Sequence, residues 1–478
     1  MAQGKQTLGV PEETRLPLMG AYSNRGFDPN KDQRFVNIFP ETRKVEQIEN
    51  TKIFLNKRPG LTLHRDYGTG EGRGVAYFNG KFYVACDNIV YEDAASPTAK
   101  ITLTASTGPV GMIVGNSATT GDYLFICDGT SGWTINAAGT ATLIVDADFP
   151  TPHIPAPTFI DGYILLAKGS DVYNCDLDVP TSWTSSNFLS AEMFPDPIKA
   201  LARQNNQVVV FGGSSIEFFY DAANAAGSPL SRNDSTTIQM GTAAPYCIYQ
   251  SEKFCAYVSQ SDSGGRAVWL IDGFQPKKVS DEYIERIIDA EIDMSDCRGY
   301  GMRTKGHMFY VINLKTIGRT LVYDIDEKLW HEWSSNNAGS HQVFQCDYVS
   351  DNATGAAYVL HTSNGRLLKV DPSIYQDDGT NILVELVTNK YDMDTYKRKF
   401  ISNMKIVGDR YTSNSISLQW SDDDYQTWSN VKTISLSDDY PAFQRLGSMR
   451  RRAFKITHAA DQPLRLESLD VTYTKGSS

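Results

Sequence analysis

A strand pair recurs along most of this chain, and its spacing limits the fold more than any other feature. The pairs begin at Val75, Tyr123, Tyr163, Val208, Phe254, Met308 and Ala356, 40 to 54 residues apart. Each has an apolar strand, a turn rich in Gly, Asn or small polar residues, and a second strand ending in a polar or acidic residue. In the clearest, Val208-Val209-Val210-Phe211 forms a buried strand and Gly212-Gly213-Ser214-Ser215 turns it. Ile216-Glu217-Phe218-Phe219-Tyr220 then returns. One such pair cannot bury both its faces. A repeat of about 40–50 residues with short strands predicts β-propeller blades. A sandwich would have a shorter spacing, and a β-helix a much shorter one.

The chain is therefore read as all-β. A β-propeller of six or seven blades spans residues 34–378, and a small antiparallel β-sandwich spans 379–478. The last blade, near residues 356–375, is too short for four strands and would leave edges open. The N-terminal strands around 35–55 are expected to close it. Residues 1–33 are polar and rich in Gly, Pro and Asn, which reads as an extended arm. Arg58-Pro59-Gly60-Leu61 reads as a turn with positive φ at its glycine. Residues 281–290 break the β pattern: Ile284, Ile287 and Ile288 share a helical face, and acids occupy the first turn. Packing under the ring or a partner contact would each suit such a helix. Past residue 378, alternating segments at 382–387, 401–407, 415–420, 453–456 and 466–473 supply the sandwich.

Composition excludes several function classes. No apolar run is long enough for a membrane-spanning helix. The polar start Met1–Thr7 lacks the core of a secretion signal, which reads as a protein kept in a cytosol. Seven scattered cysteines form no C-x-x-C pair and sit in apolar strands, so reduced, buried thiols are expected. No metal or cofactor is expected. The net charge of −11 is wrong for gripping duplex DNA but suits a passage along which DNA slides.

Catalytic signals are sparse. No G-x-S-x-G, H-E-x-x-H or Walker motif occurs. The glycines of Gly68–Gly74 precede no helix, so a phosphate cradle is not expected. Ser421-Asp422-Asp423-Asp424-Tyr425-Gln426-Thr427-Trp428 nearly fits the Asp-box turn, with Tyr425 where glycine is usual. That turn is a hairpin device held by side-chain bonds to backbone N–H groups. Trp330-His331-Glu332-Trp333 has two readings: a sugar-stacking surface, or tryptophans packed between blades with His331 and Glu332 facing out. The most uneven charge lies at Lys397, Arg398 and Lys399 and at Arg445, Arg450, Arg451, Arg452 and Lys455. These eight are the candidate protein interface, for an acidic partner or a neighbouring copy; a solvated strand face is the alternative. No aromatic platform is interleaved with the arginines, which argues against nucleic-acid stacking.

Several of these residues also carry a resemblance. They are Phe211-Gly212-Gly213-Ser214-Ser215-Ile216-Glu217-Phe218-Phe219, Gln239-Met240-Gly241, Tyr246-Cys247, Phe254–Ser259 and Tyr283–Ile288. Together they resemble the packaged-DNA stabilisation, or tail hub (tail accessory factor), proteins of short-tailed bacteriophages. Arg58–Thr62 with Gly72–Val75 looks like the family's N-terminal region, and Arg445-Leu446-Gly447, Arg450-Arg451 and Phe454-Lys455 like its C-terminal one. The likeness runs from about residue 35 to 475 and is densest over 207–293. It implies a non-enzymatic virion protein of the tail, assembled in the host cytoplasm. The implied partners are a homo-hexameric ring, the portal adaptor above, and tail needle or plug and tailspike or fibre proteins. Genomic DNA would pass through and be retained after packaging. The competing reading is a propeller glycoside hydrolase, or a carbohydrate-binding propeller, acting on host surface polysaccharide.

Overall fold

The computed structural model describes residues 10–20, 33–43, 52–260, 265–335, 347–411 and 414–476. It divides into two compact units. One contains residues 63–325 and 342–370; the other contains 1–62, 326–341 and 371–478.

The first unit is a β-propeller, as the repeat requires. Blades one to four are four-stranded antiparallel sheets over Gly72–Thr102, Gly111–Leu143, Thr158–Ser190 and Ile198–Arg232. Blade five spans Gly241–Lys278. Blade six contributes Arg298–Thr304, His307–Leu314 and Arg319–Asp324, and blade seven Asp347–Ser350, Ala357–Leu360 and Arg366–Asp371. Seven blade sheets are thus present in this unit among the described residues. The first strand of each blade packs against that of the next, and Asp347–Ser350 returns to Gly72–Phe78. There the Asp347 carboxylate accepts the Val75 N–H at 3.0 Å. Apolar layers lie between blades; Phe125, Cys127, Ile164, Leu166 and Trp183, for example, fill the space between blades two and three. The repeated pair is the second and third strand of each blade, except in blade one, where it is the first and second.

Glycine marks the places where blades meet most closely. A Cβ on Gly72 would stand 2.3 Å from the His361 carbonyl of blade seven. One on Gly74 would stand 2.5 Å from the Val110 carbonyl, beside blade two. The alternating glycines are therefore a packing device. The Gly212–Ser215 turn is locked by Asp196, which accepts the Ser214 and Ser215 N–H groups at 2.7 and 3.1 Å.

The last blade is closed by an N-terminal strand, but not by the segment expected. Gly60–Asp66 lies beside Arg366–Asp371 in that sheet, with Arg366 bonded to Asp66 at 3.1 Å. Strands 34–36, 38–43 and 52–57 belong to the other unit. Arg58-Pro59-Gly60-Leu61 is accordingly no tight turn: the strands either side of it enter different sheets, and Gly60 does not take positive φ. Gly60 is needed because a Cβ there would approach the Gln376 carbonyl to 2.3 Å.

In the second unit both ends of the chain share one core. Leu16, Leu18, Phe35, Ile38 and Leu55 join Leu386, Met404, Phe454, Leu469 and Val471. The long strand Arg465–Lys475 pairs with Lys399–Gly408 on one side. Its other side takes Glu12–Pro17 and the end of Lys52–Lys57. Facing it, Arg34–Val36, Val384–Val387, Ala453–His458, Ser415–Ser421 and Lys432–Ser435 run side by side. So the stretch read as an extended arm contains an ordered strand, Glu12–Pro17; residues 1–9 and 21–32 lie outside the described residues.

The helix is Glu282–Asp289, capped by Asp281, which accepts the Ile284 N–H at 2.9 Å. Ile284, Ile287 and Ile288 are buried, so its apolar face is consumed by packing. The six described cysteines are buried free thiols; Cys346 lies outside the described residues. Among the described residues no helix is long and apolar enough to cross a membrane, and no His, Cys, Asp and Glu group has metal-binding geometry.

Candidate assembly interface

The two basic clusters and the near-Asp-box, distant in sequence, form one site in the second unit. The turn starts from Ser421 at the end of a strand, and Asp423 is its hub. Asp423 accepts from the Ser421 hydroxyl at 2.8 Å, from the Thr427 N–H at 2.9 Å and from the Thr427 hydroxyl. These bonds, Thr427 first, pull its carboxyl down to about 2. Asp424 and Tyr425 take positive φ of 68° and 65°, which is why glycine is usual at the second. Tyr425 holds the conformation by donating its hydroxyl to the Thr388 carbonyl at 3.0 Å and packing against Trp428.

Its other two carboxylates answer the arginines. Arg452 makes a two-pronged pair with Asp422, 2.7 Å on each arm, and donates to the Leu446 and Ser448 carbonyls. Its guanidinium lies 5.0 Å from the Trp420 ring. Asp424 pairs with Lys390 and lies 3.9 Å from Arg451. Lys455 sits 4.3 Å above the Trp428 ring. The aromatic partners missing from the basic segments thus come from Trp420 on a neighbouring strand and Trp428 at the end of the acidic turn, where sequence adjacency could not reveal them.

The eight candidate residues therefore separate. Arg452 is 1 % exposed and is committed to the fold. Lys399 is wholly buried, with its ammonium donating to the Asp392 and Thr395 carbonyls; burial depresses its pKa. Neither can contact a partner. Lys455 is half-buried over its tryptophan. Lys397, Arg398, Arg445, Arg450 and Arg451 are exposed. Among the described residues the first four pair with no carboxylate.

Three of the eight, Arg398, Lys399 and Arg450, cluster where three strand ends converge. Lys399 lies opposite both Lys475 and Met449. Arg450 donates to the Tyr396 carbonyl at 2.8 Å, and the Gly476 N–H donates to the Arg398 carbonyl at 2.7 Å. Beside them Tyr396 is 76 % and Phe400 41 % exposed. The result is a cationic corner with two bare rings, the composition of a protein-binding surface.

Trp330-His331-Glu332-Trp333 offers no sugar platform. All four side chains are buried, and Glu332 receives Arg34 on both oxygens at 3.1 Å. His331 and Glu332 do not face out, contrary to the packing alternative, because this strand runs beside Arg34–Val36 and is covered.

A second polar centre, with no signature in the sequence, lies inside the same unit. Arg58, 1 % exposed, reaches Asp377, Asn37 and the Ser334 carbonyl. Next to it, buried Lys57 stands 3.4 Å from His458 and donates to the Ala460 carbonyl. Burial, then the Arg58 charge, lowers Lys57 to about 7; burial, then Lys57, lowers His458 to about 3.

The tail hub protein gp10 of Salmonella phage P22 is 25 % identical over 297 residues, 58 % of this chain; the match spans 60 % of that protein. Among solved structures, the N-terminal domain of Nup159 aligns with 70 % of this chain and 97 % of its own, at 11 % identity and a TM-score of 0.40. The Pan2 WD40 domain of Neurospora crassa covers 66 % and 95 %, at 9 % identity and 0.40. A family model described as "Bacteriophage P22 Gp10, beta-propeller" matches residues 14–374. That segment starts earlier than the resemblance read from sequence and stops before the basic corner. The chain belongs to this phage stabilisation family.

Proposed function

We propose that the chain is a non-enzymatic structural protein of a short-tailed phage tail: a hub subunit that sits below the portal and its adaptor. The observation that carries this reading is the family match across the propeller, residues 14–374, together with 25 % identity to a tail hub protein. In this role the propeller is a rigid platform, and the unit built from both chain ends supplies assembly contacts. Copies associate as a six-fold ring, the adaptor binds above, and needle and spike or fibre proteins attach. The genome is held after packaging and passes through on ejection, and the particle is assembled in the host cytoplasm.

Charge supports a conduit over a DNA grip. The propeller unit has 31 acidic against 20 basic residues, so it repels phosphate and lets a duplex slide. The exposed members of the basic corner, Lys397, Arg398 and Arg450, are the assembly contacts.

The test is retention of DNA by filled heads that carry portal and adaptor. Adding the purified chain should protect the genome from nuclease. The double variant Arg398→Glu/Arg450→Glu, which leaves buried Arg452 alone, should fold yet fail to protect. Full protection by that variant removes the corner from the reading. No protection by the unaltered chain removes the hub role.

A further inference from the structure

The acid excess is confined to one unit. Residues 63–325 and 342–370 carry the whole net charge of −11, whereas the other unit has 25 basic and 25 acidic residues. Within the propeller, residues 101–198 hold ten acids and a single lysine, Lys168. Blades two and three are therefore its most negative sector.

The same sector exposes apolar side chains at its rim. Leu143, ending the outer strand of blade two, is 48 % exposed and Val145 is 85 %. On blade three, Leu177 is 55 % and Val179 40 % exposed. The two blades are joined there: Asp146 accepts the Trp183 N–H at 3.0 Å, and Asp148 accepts the Ser185 N–H at 3.2 Å. Asp176 gathers Ser182, Thr184 and Asn187 across the bulge in Val179–Ser190. The rim is thus a fixed surface, negative and studded with bare aliphatic groups.

The basic corner of the other unit is its complement in sign and in character, with cations beside exposed rings. We propose that the rim around Val145 and Leu177 receives the Tyr396, Arg398, Phe400 and Arg450 corner of a second copy. This rests on the ring-forming reading above and names the surfaces that form the ring. Two different patches meeting make a head-to-tail contact, which propagates and closes when the rotation allows. Opposite charge steers the encounter, and the apolar groups are covered once docked.

The test uses two full-length variants. Val145→Asp/Leu177→Asp spoils only the rim; Arg398→Glu/Arg450→Glu spoils only the corner. Thermal melting checks that both stay folded. In sedimentation at low salt the unaltered chain should self-associate, and each variant alone should associate at least about tenfold more weakly. Mixed, they should form one-to-one pairs and nothing larger, since only one intact rim and one intact corner remain to meet. If the unaltered chain associates and either variant associates equally well, these surfaces are wrong while the ring reading stands. If the unaltered chain stays monomeric at every concentration, both fall.

Discussion

Arg452 and Asp422 are bound through two parallel hydrogen bonds of 2.7 Å, one residue at the head of a strand and the other in the acidic turn. The pair joins what sequence presents as two unrelated features, a run of arginines and a run of aspartates. It also splits the arginines by duty: Arg452 holds the turn, while Arg450 and Arg451 face solvent.

Arg452→Ala should therefore destabilise the second unit. Asp422 is 43 % exposed, so solvent screens part of the pair, and a loss of about 2 kcal/mol is expected, less than a fully buried pair would show. Arg451→Ala should cost under about 0.5 kcal/mol. Denaturant melts of the two variants check the difference.

Lys57 should give a pH dependence of unusual sign. Its folded value is about 7 against an ordinary 10.5. Below 7 it is charged in both states and the burial cost is present in full. Between 7 and 10.5 the unfolded chain holds a proton that the folded one lacks, so stability from this group rises with pH. Lys57→Met should be more stable than the unaltered chain at pH 7, by roughly 2–3 kcal/mol, and the gap should close towards pH 10. A gap that widens with pH would contradict the lowered value.

His458 acts at the other end of the scale. Its folded value near 3 lies below the ordinary 6.5, so as pH falls through 6.5 the unfolded chain takes up a proton first and stability drops until about 3. His458→Gln should flatten that acid limb in melts between pH 3 and 6.5.

Blade contacts should be sensitive to single methyl groups. Gly74→Ala places a carbon 2.5 Å from a backbone oxygen, and a cost of about 2–3 kcal/mol is expected. Gly80→Ala meets no atom within 4 Å but forces alanine to φ 79°, for about 1 kcal/mol. Reversal of that order in melting temperature would mean that the blades do not meet at Gly74.

Ring closure makes a sharper demand on the N-terminus. Deleting residues 60–66 removes the strand beside Arg366–Asp371 and should expose a sheet edge, seen as aggregation and rapid amide exchange in blade seven. Leu16→Ala should act on the other unit, costing about 2–3 kcal/mol for a core residue 6 % exposed.

The sequence determined what local pattern and period can determine. Alternating strands, Asn79-Gly80 and Gly212–Ser215 turns, and the 40–54-residue recurrence fix blades, because each is set by neighbours along the chain. The amphipathic helix and the apolar cysteines are legible for the same reason. What only the tertiary structure decided are the pairings between distant segments. Gly60–Asp66, and not the strands before it, closes the propeller, and Gly60 lacks the Cβ that would meet the Gln376 carbonyl there. Arg452 leaves the cationic surface because Asp422, thirty residues away, claims it, and Lys399 because two carbonyls of the loop before it do. Charge in a sequence says which groups are available; burial says which are already spent, and burial is a property of contacts that no local window contains.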